Sequence, residues 1–178
     1  MLALYALIEP EDHVISMYPT YQQLYDIPKS LGADVDLWEI EEDNNWLPDL
    51  DQLRRLIRPN TKMICINNAN NPTGALMDTA YLEELVTIAK EVDAYIFSDE
   101  VYRSFDQPAP SIVDLYERHC RQTVFQSTYS IPGIRVGWVA SNTEVADILR
   151  DYRDYTMICA GVFDDMVATL VLENKKPS

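Results

Sequence analysis

Three short stretches of this chain gather polar and ionisable side chains beside apolar runs. The first is Asn70-Asn71-Pro72-Thr73-Gly74, a few residues after the run that ends at Asn67. The second is Ser98-Asp99-Glu100-Val101-Tyr102, where an acid directly ends an apolar run. The third is Ser130-Ile131-Pro132-Gly133-Ile134-Arg135-Val136-Gly137-Trp138, which carries a single arginine among small and apolar residues. Each has an ordinary structural reading. Asn, Pro and Gly build turns, Ser and Asp cap helix N-termini, and an Arg at a strand entrance makes a surface ion pair. Together they supply an amide, a carboxylate, a phenol and a guanidinium, a set able to hold a polar ligand. A metal centre is not indicated: Cys65, Cys120 and Cys159 are far apart and odd in number, forming neither a metal-ligand pair nor a disulfide framework.

The elements that must position these stretches alternate along the chain. His13 to Tyr18, Asp34 to Ile40, Thr61 to Asn67, Ala94 to Ser98 and Ile134 to Ala140 read as strands, being short, apolar or alternating. Tyr21 to Leu31, Leu50 to Ile57, Leu82 to Val92 and Glu144 to Tyr155 have helical spacing, as do Leu2 to Ile8 and Phe163 to Leu172 near the two ends. Strands alternating with helices predict an α/β domain with a mainly parallel sheet. In such sheets ligands sit beyond the carboxyl ends of the strands. Asn67 to Gly74 and Ser98 to Phe105 fall at that edge. No linker, repeat or low-complexity segment interrupts the pattern. The chain opens inside a helical pattern without a capping residue and stops just after another, so residues 1–178 are expected to be part of a domain.

The bulk numbers agree with one domain: 178 residues, 47% of them hydrophobic, are enough for one sizeable core. A net charge of −15, spread along the chain, argues against a nucleic-acid or anionic-membrane partner. No apolar run approaches the ~20 residues of a membrane span, and Met1-Leu2-Ala3-Leu4 lacks the basic flank of a signal peptide. With three scattered cysteines, a reducing cytoplasm is the expected location.

In this order and at this spacing, the three stretches resemble the class I/II aminotransferases, fold type I enzymes that use pyridoxal 5′-phosphate (PLP). The likeness runs over essentially the whole chain, including Leu4 to Val14 and Pro19-Thr20-Tyr21. It implies a three-layer α/β/α sandwich, with residues 1–178 a partial large, PLP-binding domain. The N-terminal segment and C-terminal small domain would then lie outside the sequence, and the full-length parent would be a homodimer. The implied reaction moves an amino group between an amino acid and a 2-oxo acid. The resemblance also implies roles. Asp99 is the carboxylate that pairs with the pyridine nitrogen, Asn71 and Tyr102 donate to the ring oxygen, Tyr21 stacks on the ring, and Arg135 holds the phosphate.

One defining residue is missing. The family's Schiff-base lysine precedes the phosphate-binding arginine by eight residues, which from Arg135 lands on Ser127. The usual Ser-x-Ser-Lys reads here Val124-Phe125-Gln126-Ser127, and Lys29, Lys62, Lys90, Lys175 and Lys176 match no catalytic position. A serine oxygen cannot form an imine, so the chain as written is expected to be inactive. Three origins are open: a genuine substitution, a modified lysine dropped between Ser127 and Thr128, or two compensating frameshifts flanking His119 to Ser127. One permitted coding of His119 to Thr128 is CAT TGT CGA CAA ACA GTT TTT CAA AGT ACN. Read from its third base, it gives Leu-Ser-Thr-Asn-Ser-Phe-Ser-Lys, with the lysine aligned on Ser127, and this reading accounts for more residues. A non-catalytic remnant, and a parent enzyme performing PLP-dependent β-elimination or other lyase chemistry, are the competing readings. A regulatory sensor would need a DNA-binding domain that the sequence does not show.

Overall fold

A computed structural model of the protein describes residues 1–102, 110–124 and 131–174. Its centre is a six-stranded sheet in the order β2-β1-β3-β4-β5-β6. The strands are β1 (His13–Tyr18), β2 (Asp34–Glu39), β3 (Thr61–Asn67), β4 (Tyr95–Asp99), β5 (His119–Val124) and β6 (Gly137–Ser141). The first five run parallel, and β6 is antiparallel to β5. The helices are α1 (Leu2–Leu7), α2 (Gln23–Ser30), α3 (Leu50–Leu56), α4 (Thr79–Glu91), α5 (Thr143–Arg153) and α6 (Val162–Glu173).

Side-chain alternation explains the layers. Met63, Cys65, Tyr95 and Phe97 point to one face and pack with Leu4, Leu7, Leu24, Ile27, Val145 and Leu149 of α1, α2 and α5. Ile64, Ile66 and Ile96 point to the other face and pack with Leu53 of α3 and with Leu82, Leu85, Val86 and Ile88 of α4. A central strand buried on both faces needs a continuous apolar run, and Met63 to Asn67 and Tyr95 to Asp99 are buried at every position. The result is the expected α/β/α sandwich.

Local signals set several boundaries. Asp49, Asp78 and Asn142 cap α3, α4 and α5, accepting from the backbone N–H of Asp51, Tyr81 and Val145. The Asp78 cap starts α4 one turn before the helical spacing becomes visible in the sequence. One expectation needs correction, and one element was missed. The strand expected over Ile134 to Ala140 begins only at Gly137, because Pro132–Ile134 form a 3-10 turn and Arg135 takes the left-handed conformation at φ 50°. Strand β5 was not legible at all. His119-Cys120-Arg121-Gln122-Thr123-Val124 has neither an apolar run nor a clean alternation, and it is a strand because β4 and β6 offer it ladders on both sides.

Candidate cofactor site at the carboxyl edge of the sheet

The register places the chemically dense stretches side by side. Asn67, the last residue of β3, pairs with Asp99, the last of β4, and Asp99 in turn pairs with Gln122 of β5. Because β6 runs the other way, its first residue, Gly137, lies opposite Val124 at the far end of β5. Arg135, two residues earlier, therefore reaches the same sheet edge as Asp99.

The loop after β3 is built by its own asparagines, each for a different purpose. Asn67 Nδ2 and Asn68 N–H both donate to the Asp99 carbonyl, each at 2.9 Å, which ties the ends of β3 and β4 together. Asn67 Oδ1 accepts the Asn71 N–H at 2.7 Å, folding the loop back over the strand end. Asn68 exchanges two hydrogen bonds with the main chain of Met77. Asn70 accepts the Thr20 hydroxyl at 2.8 Å and donates to the Pro19 carbonyl at 3.1 Å, joining the β3 loop to the loop after β1. That bridge makes neighbours of the segments carrying Tyr21 and Asn71. Gly74 closes the turn at φ 73°, its N–H donating to the Asn70 carbonyl at 2.7 Å. A residue with a Cβ is disfavoured at that φ.

Asp99 is the unusual group. It is 5% exposed, and among the described residues the hydrogen bond its carboxylate accepts is from Val101 N–H at 3.1 Å. Burial pushes its pKa up to about 6, with the Val101 N–H and the N-terminal amine pulling it down and Glu100 pushing it up. A buried carboxylate with so little compensation suits a cationic partner, and a protonated pyridine nitrogen is one. Tyr102 lies three residues beyond Asp99 and is half-buried, and Tyr21 is 43% exposed. Arg135 is exposed, its N–H and Nη1 both directed at the Pro132 carbonyl. Topology thus brings Tyr21, Asn71, Asp99, Tyr102 and Arg135 to one edge, while Ser127 lies outside the described residues. The resemblance did not single out Thr20, Asn67, Asn68 or Asn70, which shape the site through hydrogen bonds between loops. Their signal was the density of polar residues directly after strands.

The model of the family described as aminotransferase class I and II matches residues 1–175. The chain belongs to that family. It is 33% identical to the aspartate aminotransferase of Thermotoga maritima over 96% of its own length and 47% of that enzyme's. It is 27% identical to the capreomycidine synthase of Streptomyces vinaceus, over 92% of this chain and 43% of that protein. Among solved structures, a PLP-dependent aminotransferase from Streptococcus suis superposes with a TM-score of 0.93 at 72% identity, covering 97% of this chain and 46% of that one. The T. maritima enzyme superposes with a TM-score of 0.91. The chain spans about half the length of the curated relatives it matches. Family members are PLP-dependent transferases, and the three-layer fold found here is that of their large domain.

Proposed function

We propose that this chain is the cofactor-holding part of a PLP-dependent aminotransferase that exchanges an amino group between an amino acid and a 2-oxo acid. The observation that carries the reading is Asp99, a buried carboxylate at the end of a central strand with little compensation among the described residues. Bound PLP supplies an electron sink for bonds at the substrate's α-carbon. Asp99 would keep a proton on the ring nitrogen, and the ring's positive charge would draw the Asp99 pKa back down. The Asn71 amide and the Tyr102 hydroxyl would donate to the ring oxygen. Tyr21 would cover the ring face, and the Arg135 guanidinium would pair with the phosphate dianion.

The covalent anchor does not fit. Position 127 is serine, so no proton transfer through a lysine is derived for this chain. We read the segment from His119 to Ser127 as the product of paired frameshifts in a gene whose parent encodes lysine there. In its full-length form the parent is a cytoplasmic homodimer. The half-exposed or exposed Phe163, Met166 and Leu170 on α6, with Tyr155 and Met157 just before it, support further polypeptide or a partner covering that surface. The likeness to capreomycidine synthase, a protein not named as an aminotransferase, supports a second reading in which the same cofactor scaffold serves other chemistry on an amino acid.

The test is a spectroscopic PLP titration and an amino-donor assay on three proteins: this chain, its Ser127→Lys variant, and a full-length parent with the Ser-Phe-Ser-Lys segment rebuilt. The unmodified chain is expected to show no lysine-bound absorbance and no turnover. Ser127→Lys should restore absorbance without useful turnover, since the rest of the substrate site is absent and orientation is worth several orders of magnitude in rate. The rebuilt parent should be active. Turnover by the unmodified chain overturns the reading of Ser127, and absence of PLP binding in all three overturns the cofactor reading.

A further inference from the structure

Glu100 follows Asp99 directly and is as deeply buried, at 2% exposure. The two acids serve opposite faces of the sheet. Asp99 continues the side of Tyr95 and Phe97, which pack with α1, α2 and α5. Glu100 continues the side of Ile96, where Ile112 and Tyr116 join the α3–α4 core. There its carboxylate accepts the Ser111 hydroxyl, at 2.9 Å from Oε2 and 3.1 Å from Oε1, and the Ile112 N–H at 3.0 Å. Ser111 and Ile112 are themselves buried, at 1% and 0% exposure. Four residues on, the Tyr116 hydroxyl donates to the Ala94 carbonyl, immediately before β4, at 2.8 Å. The segment from Ser111 to Tyr116 is therefore fastened at both ends of β4, and Glu100 is the fastening at the Asp99 end.

We propose that Glu100 is a positioning residue, a buried brace that holds the end of β4 from behind and so fixes where the Asp99 carboxylate sits and how little water reaches it. A hydrogen-bonded carboxylate one residue from Asp99 restricts the main chain that carries Asp99. Without that bond the strand end keeps the Asn67 and Asn68 bonds to β3 and the ladder to β5, but loses the hold on the residue that follows Asp99. The proposal rests on the reading of Asp99 as the ring-nitrogen carboxylate, but its first measurement needs no cofactor.

The experiment follows the Asp99 side-chain carboxyl by carbon-13 NMR through a pH titration, assigned with Asp99→Asn, in the unmodified chain and in Glu100→Gln and Glu100→Ala. The groups that act on Asp99 are the Val101 N–H, the N-terminal amine and Glu100. Gln at position 100 keeps an oxygen for Ile112 N–H and an amide for the Ser111 hydroxyl, so it removes charge while retaining the brace. Glu100→Ala removes both. Expected is a midpoint near 6 in the unmodified chain, a small fall in Glu100→Gln, and a clearly larger fall toward the ordinary carboxylate range in Glu100→Ala. Equal shifts in the two variants would mean that Glu100 acts through charge alone, and no shift in Glu100→Ala would mean that it does not act at all; either overturns the proposal. If Glu100→Ala fails to fold, Ser111→Ala, which loosens the brace and keeps the charge, takes its place: a fall in the Asp99 midpoint is then expected, and no shift overturns the proposal. In parallel, 4′-deoxypyridoxine 5′-phosphate, which has no aldehyde, measures non-covalent binding. Glu100→Ala should weaken it by at least about tenfold and Glu100→Gln by less than about threefold, as expected for a misplaced contact group. Failure of this probe to bind even the unmodified chain counts against the cofactor reading, while the titration still decides the role of Glu100.

Discussion

The two edges of this sheet treat buried charge in opposite ways. At the amino edge, His13, the first residue of β1, is fully buried and both its ring nitrogens are used. Nε2 lies 3.2 Å from Asp36 Oδ2, and Nδ1 lies 2.8 Å from the Thr61 hydroxyl, which itself accepts the Arg58 N–H at 2.8 Å. The Arg58 guanidinium then closes the network on Asp36 and Asp34. The neutral tautomer with its proton on Nε2 satisfies every member, with the Thr61 proton donated to Nδ1. At the carboxyl edge, Asp99 is nearly as buried and has the Val101 N–H as its described hydrogen-bond partner. A network whose partners are all internal stabilises the fold. A buried carboxylate with so little compensation among the described residues costs the fold stability when it is ionised. The contrast separates the two edges more sharply than burial or residue type does.

The difference can be broken first at Asp99. Its folded pKa of about 6 stands above the ordinary 3.8, so its contribution to stability is complete below the unfolded value and lost as pH rises through the folded one. Asp99→Asn should therefore stabilise the cofactor-free chain at pH 8 by up to about 3 kcal/mol, an effect that fades toward pH 4. The same variant should abolish PLP binding. Urea unfolding at both pH values measures the first part, and a variant less stable than the unmodified chain at pH 8 would contradict it.

The mirror substitution at the other edge should act in the opposite direction. Asp36→Ala leaves the buried His13 N–H without its acceptor and Arg58 with one carboxylate fewer, and should cost about 2 kcal/mol in a urea titration at pH 8. A neutral result would show that water enters to replace Asp36.

The pH dependence sharpens the comparison further. Burial first, then the nearby Arg58 guanidinium, lower the His13 pKa below its ordinary 6.5, outweighing the opposing effects of Asp36 and Asp34. This contribution is present above the unfolded value and is lost as pH falls through the folded one, the reverse of Asp99. In an Asp99→Asn background, which removes the opposing titration of Asp99, stability should fall as pH drops below 6.5 by a slope that adding His13→Gln removes. Thermal melts across pH 5–7 test this.

The smallest expected effect is at the turn between the loops. Gly74→Ala should cost about 1 kcal/mol, because the φ of 73° and not a steric clash is what requires glycine there. Among the described residues no atom lies within 4 Å of the position a Cβ would take at residue 74.

Much of this arrangement was written in one-dimensional pattern. The apolar runs of β1, β3 and β4 must be buried on both faces, so their identity as central parallel strands follows from composition alone, and the dense polar stretches directly after them mark the ligand edge. The residue types at Asn71, Asp99, Tyr102 and Arg135 pointed to a family, and the serine at position 127 stood out as the departure from it. Other features depended on partners distant in the chain. Strand β5 has no periodicity of its own and exists through ladders to β4 and β6. The antiparallel turn of β6 brings Arg135 to the site edge, and no local signal encodes strand direction. Above all, nothing local in the sequence tells apart the environments of His13, Asp99 and Glu100, ionisable residues at the ends of apolar strands. Which is held in a network with Asp36 and Thr61, which keeps the Val101 N–H as its described partner and which bonds Ser111 and Ile112 was decided only when those residues arrived from elsewhere, because the free energy of a buried charge is set by the groups around it and not by its place in the chain.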